Sequence, residues 1–121
     1  MQKILIADDN ILFRRLLRET LHFQFPSLTI SEAKDVEEAL QMVLAFHPDL
    51  VFMDIQLPDG NGLKLTRLIK DLNTDVKVVI LTSYDQPEYR DAAFRHKADH
   101  YCSKDSFMSL ISTILSTNRV A

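Results

Sequence analysis

The sequence predicts an α/β domain in which a parallel sheet of five strands is doubly wound by five helices, and three observations carry that expectation. First, apolar runs of strand length alternate strictly with longer stretches of helical period along the 121 residues. Second, runs such as Leu50-Val51-Phe52-Met53 are apolar at every position, the pattern of strands covered on both faces by right-handed crossovers. Third, the first, third, fourth and fifth runs end on Asp8-Asp9, Asp54, Thr82 and Lys104. The polar endings therefore gather on one rim, where sheets of this kind bind ligands.

Lys3 to Ala7 is a short strand stopped by Asp8 and Asp9. Asn10 can cap a first helix, in which Phe13, Leu16, Leu17 and Leu21 recur at helical spacing up to Pro26, with Arg14, Arg15 and Arg18 turned outward. Leu28 to Glu32 is a weaker second strand. Asp35 caps a second helix striped by Val36, Ala39, Leu40, Val43 and Leu44 and closed by His47-Pro48. The third strand runs to Asp54. A loop follows, because Pro58 fixes φ while Gly60 and Gly62, the chain's only glycines, tolerate positive φ.

Leu65, Leu68, Ile69 and Leu72 stripe the third helix, and Val76 to Leu81 form the fourth strand. Gln86-Pro87-Glu88 opens a fourth helix reaching about His96. It has only Tyr89, Ala92 and Ala93 on its inner side, which predicts a loosely held element. Asp99 to Ser103 is polar enough to stand only at a sheet edge. A last helix, capped by Asp105 or Ser106, buries Phe107, Leu110, Ile111, Ile114 and Leu115.

Length and composition predict one domain over residues 1–121, with 46% hydrophobic and 26% charged residues. A net charge of −3 and the lack of any basic run interleaved with aromatics argue against nucleic acid as a direct ligand. The single cysteine, Cys102, has no intrachain partner, which suits a reducing compartment. No apolar run approaches the roughly 18 residues of a membrane span, and the apolar start meets Asp8 too soon for an export signal. The expected location is the cytoplasm.

Three carboxylates on one rim repel one another by about 4 kcal/mol per pair at ~4 Å and an effective dielectric of ~20. Lys104 supplies one countercharge. A hard dication with oxygen ligands supplies more, and Mg²⁺ favours a few carboxylates together with water and phosphate oxygens. Such a rim suits a phosphoryl group: Asp54 can attack phosphorus as a carboxylate nucleophile, while the metal, Lys104 and the Thr82 hydroxyl neutralise the equatorial oxygens of an in-line transfer.

These residues, in this order, resemble the receiver domains of two-component response regulators. The acid pair Asp8-Asp9, Asp54 before Leu57-Pro58-Asp59-Gly60-Asn61-Gly62, Thr82-Ser83, Tyr101 and Lys104 all stand where that family has them. The resemblance implies a flavodoxin-like sheet of strand order 2-1-3-4-5. It further implies Asp8, Asp9 and Asp54 as Mg²⁺ ligands, Asp54 as phosphoacceptor, Lys104 as the phosphate-binding cation, and Thr82 and Tyr101 as the switch pair. Gln56 and Tyr84 would tune the lifetime of the phosphate. The donor would be a phosphohistidine on a sensor histidine kinase or histidine phosphotransfer protein. The response would be a reshaped surface of the fourth helix, fifth strand and fifth helix, offered to an output partner or a second copy. Catalysis would extend only to the domain's own phosphorylation and dephosphorylation.

The sequence departs from the family pattern at two places. Lys97-Ala98 replaces the usual Gly-Ala, and a lysine in a left-handed cap costs ~1 kcal/mol, which predicts a different turn there. Asp105 replaces the proline common after the lysine, as in receivers that precede a C-terminal helix-turn-helix.

Plainer roles compete for some of these residues. Asp8 and Asp9 also suit a helix cap, Thr82 a strand end and Tyr101 simple packing. His22, His47, His96 and His100 lack ligand spacing, and the Arg14, Arg15 and Arg18 face reads as a solvated flank. The rival functions are a phosphate-independent interaction module of the same fold and a metal-dependent phosphatase or phosphotransferase. The latter wants a second acid two residues past the nucleophile, where Gln56 stands. A glycine-rich nucleotide loop is missing.

Overall fold

The computed structural model describes residues 2–117 apart from Thr74 and Tyr84, so the expectation for Tyr84 lies outside the described residues. Among the described residues, seven strands and five helices follow one another. They are β1 (Lys3–Ala7), α1 (Ile11–Gln24), β2 (Thr29–Ala33), α2 (Val36–Phe46), β3 (Leu50–Met53), β4 (Gln56–Leu57), β5 (Gly60–Asn61), α3 (Gly62–Leu72), β6 (Lys77–Thr82), α4 (Pro87–Arg95), β7 (His100–Ser103) and α5 (Phe107–Thr117). The five long strands form one parallel sheet in the order β2-β1-β3-β6-β7, which is 2-1-3-4-5 when only sheet strands are counted. The polar strand β7 stands at the edge, as expected. The loop after Asp54 is more ordered than expected: β4 and β5 pair antiparallel, Gln56 with Asn61 and Leu57 with Gly60.

Alternate residues of the buried strands face opposite layers. Ile4, Ile6, Leu50, Phe52, Val79 and Leu81 pack with Leu17 and Leu21 of α1 and with Ile111 and Ile114 of α5. Leu5, Val51, Met53, Val78 and Ile80 pack with Ala39 and Val43 of α2, Leu65 and Ile69 of α3, and Ala93 of α4. Helices thus cover both faces. On α4 only Ala93 is buried, with Tyr89 and Ala92 half-buried against the core, so this helix is the most thinly anchored, as its sequence implied.

Several helical stripes are narrower than the apolar spacing suggests. Leu16, Leu44, Leu68 and Leu72 are exposed, because each helix buries only one arc and a neighbouring residue holds it. On α3 that arc is completed by Leu63, Thr66 and Lys70, whose ammonium donates to the Val76 carbonyl (2.8 Å) and to Asp99 Oδ2 (2.9 Å). Arg14 is turned inward rather than outward, its guanidinium held by Glu32 (2.9 Å) and by the Asp8 carbonyl (2.6 Å).

Two backbone expectations are corrected. Neither glycine adopts positive φ. Gly62 is required instead by close approach, since a Cβ there would sit 1.8 Å from the Asp54 carbonyl oxygen. Lys97 does take the left-handed conformation, with φ 70°, so the turn before β7 is the ordinary one despite the lost glycine. Its geometry is the paired 6→1 and 5→2 helix stop: Ala98 N–H donates to the Ala93 carbonyl and Lys97 N–H to that of Phe94, each at 3.0 Å. The Lys97 ammonium meets Asp71 at 2.7 Å, which helps to offset the strain.

Candidate functional site

Ladder bonds carry the sheet one residue past its strands and so place the site. Asp8 N–H donates to Ala33 O (3.0 Å), Asp54 N–H to Ala7 O (2.9 Å) and Lys104 N–H to Thr82 O (2.9 Å). The acids at the ends of β1 and β3 are therefore neighbours. Oxygens of Asp8, Asp9 and Asp54 lie within 4.8 Å of one another, with Asp8 2% and Asp54 8% exposed and Asp9 open to solvent. Asn10 caps α1 with its side chain, and its own N–H donates to Asp8 Oδ1 at 2.9 Å, which fixes that carboxylate.

Lys104 bridges the two buried acids. Its Nζ lies 2.7 Å from Asp8 Oδ2 and 3.3 Å from Asp54 Oδ2, so the tighter contact is to Asp8. It also sits 4.6 Å from the centre of the Phe13 ring, which is braced edge-on by Phe107. Burial acts to lower the ammonium's pKa, but the hydrogen bond to Asp8 and the charge of Asp54 outweigh it and hold Lys104 above its ordinary value. The pKa of Asp54 is raised as well, which for an acid disfavours the charged form. Burial first, and then the charge of Asp8, push it up to about 6, against the lowering pull of Lys104 and of the Ile55 N–H that donates to Asp54 Oδ1.

An open cavity stands over Asp54, lined by Asp9, Asn10, Gln56, Ser83 and Lys104. Thr82 is fully buried at the end of β6, and Ser83 reaches the cavity wall. Tyr101 is buried with Ala93 and Ala98, and the Arg90 guanidinium stands 5.1 Å over its ring. The roles of Phe13, as a rest for Lys104, and of Arg14, as a clamp on the Asp8 backbone, were not evident in the sequence. Both depend on where the last strand and β2 come to lie.

The residues present fit a hard divalent cation. Three carboxylates against one ammonium leave two negative charges, and one oxygen of each acid lies within 4.8 Å of the others. Such a site could hold a dication and, beside it, a phosphoryl group reachable from Asp54.

The fold and its rim define a doubly wound α/β domain with an acidic site at the carboxyl ends of its strands. The chain belongs to the response regulator receiver domain family, whose model matches residues 4–115. It is 35% identical over 118 residues to the chemotaxis protein CheY of Halobacterium salinarum, covering 94% of this chain and 97% of that protein. It is 38% identical over 104 residues to the sensory transduction protein LytT of Bacillus cereus, covering 86% of this chain but only 42% of LytT. The chain thus spans less than half of several longer regulators and nearly all of CheY. Among solved structures, a response regulator protein of Burkholderia pseudomallei, described with a phosphorylated aspartic acid and a calcium ion, superposes with a TM-score of 0.86 at 27% identity. That match covers 98% of this chain and 68% of the other.

Proposed function

We propose that residues 1–121 form a receiver domain whose Asp54 accepts a phosphoryl group from a phosphohistidine of a sensor kinase or phosphotransfer protein. One observation carries this reading: Asp54 stands beside the acid pair, 3.3 Å from Lys104, in the lining of an open cavity. A carboxylate oxygen of Asp54 attacks phosphorus, the phosphorus–nitrogen bond of the donor breaks, and the imidazole leaves with the electron pair and takes up a proton. Asp8, Asp9 and Asp54 would hold Mg²⁺, which would offset the negative charge on the oxygens of the transferring phosphoryl group. Lys104 is released from Asp8 to meet a phosphoryl oxygen. Gln56 and Ser83 line the approach, which supports the reading that Gln56 tunes how fast water removes the phosphate.

Thr82 and Tyr101 form the switch, coupling occupancy of Asp54 to the face made by α4, β7 and α5, where an output partner or second copy docks. Moving such an equilibrium from 1:99 to 99:1 takes ~5.5 kcal/mol. Two charge-assisted hydrogen bonds of ~1.5–3 kcal/mol each supply most of it. The domain acts on no external substrate. Among the described residues no helix is long and apolar enough to cross a membrane, and a cytoplasmic place beside the kinase fits the reading. The test is to treat the chain with acetyl phosphate and Mg²⁺ and weigh it. One added phosphoryl group is expected in the wild type and none in Asp54→Asn; an unmodified wild type would favour the phosphate-independent interaction module.

A further inference from the structure

The loop between Asp54 and α3 reaches sideways to a helix that contributes nothing to the cavity. Asp59, at the loop's tip, accepts from the backbone N–H of Val36 at 2.7 Å and from that of Glu37 at 3.1 Å, one bond to each carboxylate oxygen. These are two of the free donors that open α2, and Asp35 takes the third, from Glu38 at 2.8 Å. The Val36 bond, aided by that from Glu37 and opposed by slight burial, holds the Asp59 carboxyl below its usual range. Gly60 presses on the same spot, since a Cβ there would come within 3.1 Å of Val36 Cγ2.

The other end of this loop forms the cavity wall. Ile55 N–H holds Asp54 Oδ1, Gly62 N–H donates to Ile55 O at 2.6 Å, and Gln56 faces the cavity. Two paired residues per strand make a ladder too short to stand by itself. Its fixity must come from Leu57, which is buried, and from the tip.

We infer that Asp59 is a positioning residue: by tethering the loop tip to the first turn of α2 it keeps the Ile55 N–H on Asp54 and Gln56 in the cavity wall, and so tunes divalent-cation binding at the rim. The inference rests on the phosphoryl-accepting reading of the cavity and adds α2 to the parts that govern it.

Three variants in the full chain separate positioning from mere helix capping. Asp59→Ala is expected to weaken Mg²⁺ binding on the order of tenfold, the usual effect of losing a residue that orients a ligand. It should also speed amide exchange at Gly62. Asp59→Asn keeps one acceptor oxygen and should fall between. Asp35→Ala removes the neighbouring cap and is expected to lower thermal stability while leaving Mg²⁺ affinity unchanged. Mg²⁺ titrations followed by NMR, with amide exchange recorded without metal, read all three. An Asp59→Ala protein with wild-type affinity would overturn the inference, as would an equal loss of affinity in Asp35→Ala. If the wild type itself bound no Mg²⁺, the site reading would fail, and exchange at Gly62, which needs no metal, would still decide whether Asp59 holds the loop.

Discussion

With the Asp54 carboxyl raised from 3.8 to about 6, the native chain keeps a proton at this residue that the unfolded chain has already released in the window between those values. The unfolded state therefore binds fewer protons there, and stability falls as pH rises through the window. The full shift corresponds to ~3 kcal/mol, and the open cavity screens it to about 1–2 kcal/mol. Urea unfolding without metal should accordingly find the wild type more stable near pH 5 than near pH 7.5. Asp54→Asn should flatten that difference and be the more stable protein at the higher pH. A wild type whose stability rises over this range would contradict the charge balance drawn for the rim. The acids and the lysine were legible as a group because strand ends mark them. That Lys104 prefers Asp8 to Asp54 was not, since it depends on the Phe13 ring and on ångström-scale differences between two strand ends.

Among the elements, the turn into α3 tolerates least. In Gly62→Ala the new Cβ would meet a backbone oxygen, which cannot swing aside, so the loop or β3 must move, at a cost of about 3 kcal/mol or more. Gly60→Ala meets a side-chain methyl of Val36 at 3.1 Å and should cost less than about 1 kcal/mol. Chemical denaturation of the two variants checks the contrast. Lys70→Met strands Asp99, which otherwise takes the Lys70 ammonium and the Val78 N–H together, and should destabilise by about 2–3 kcal/mol in the same assay. Each helix was legible from its period, whereas which arc it buries was not. Leu16 and Leu72 have the spacing of core residues and lie outside, while the charged Lys70 lies inside because a carbonyl and an acid from distant segments receive it.

Over the whole molecule stability is uneven. Strands β1, β3 and β6 are buried throughout their apolar runs, while α4 is held by little more than Ala93 and the half-buried Tyr89 and Ala92. Native-state hydrogen exchange should find the α4 amides opening well before those of β3; equal protection would count against α4 as an element that moves in the proposed switch. The architecture was legible because alternating periods and polar strand ends are local signals. The loop's tether to α2 was not, because Asp59 and Val36 are 23 residues apart and nothing in either segment names the other.

The contact between Asp8 and Lys104 joins the first strand to the last. A ribosome releases both acids long before it releases their lysine. Until β7 docks against β6, the half-made protein carries an acidic edge with no ammonium to balance it. The rim proposed to accept a phosphoryl group is thus balanced only once the segment bearing Lys104 has been made, and a polypeptide stopped before it lacks the cation of that site.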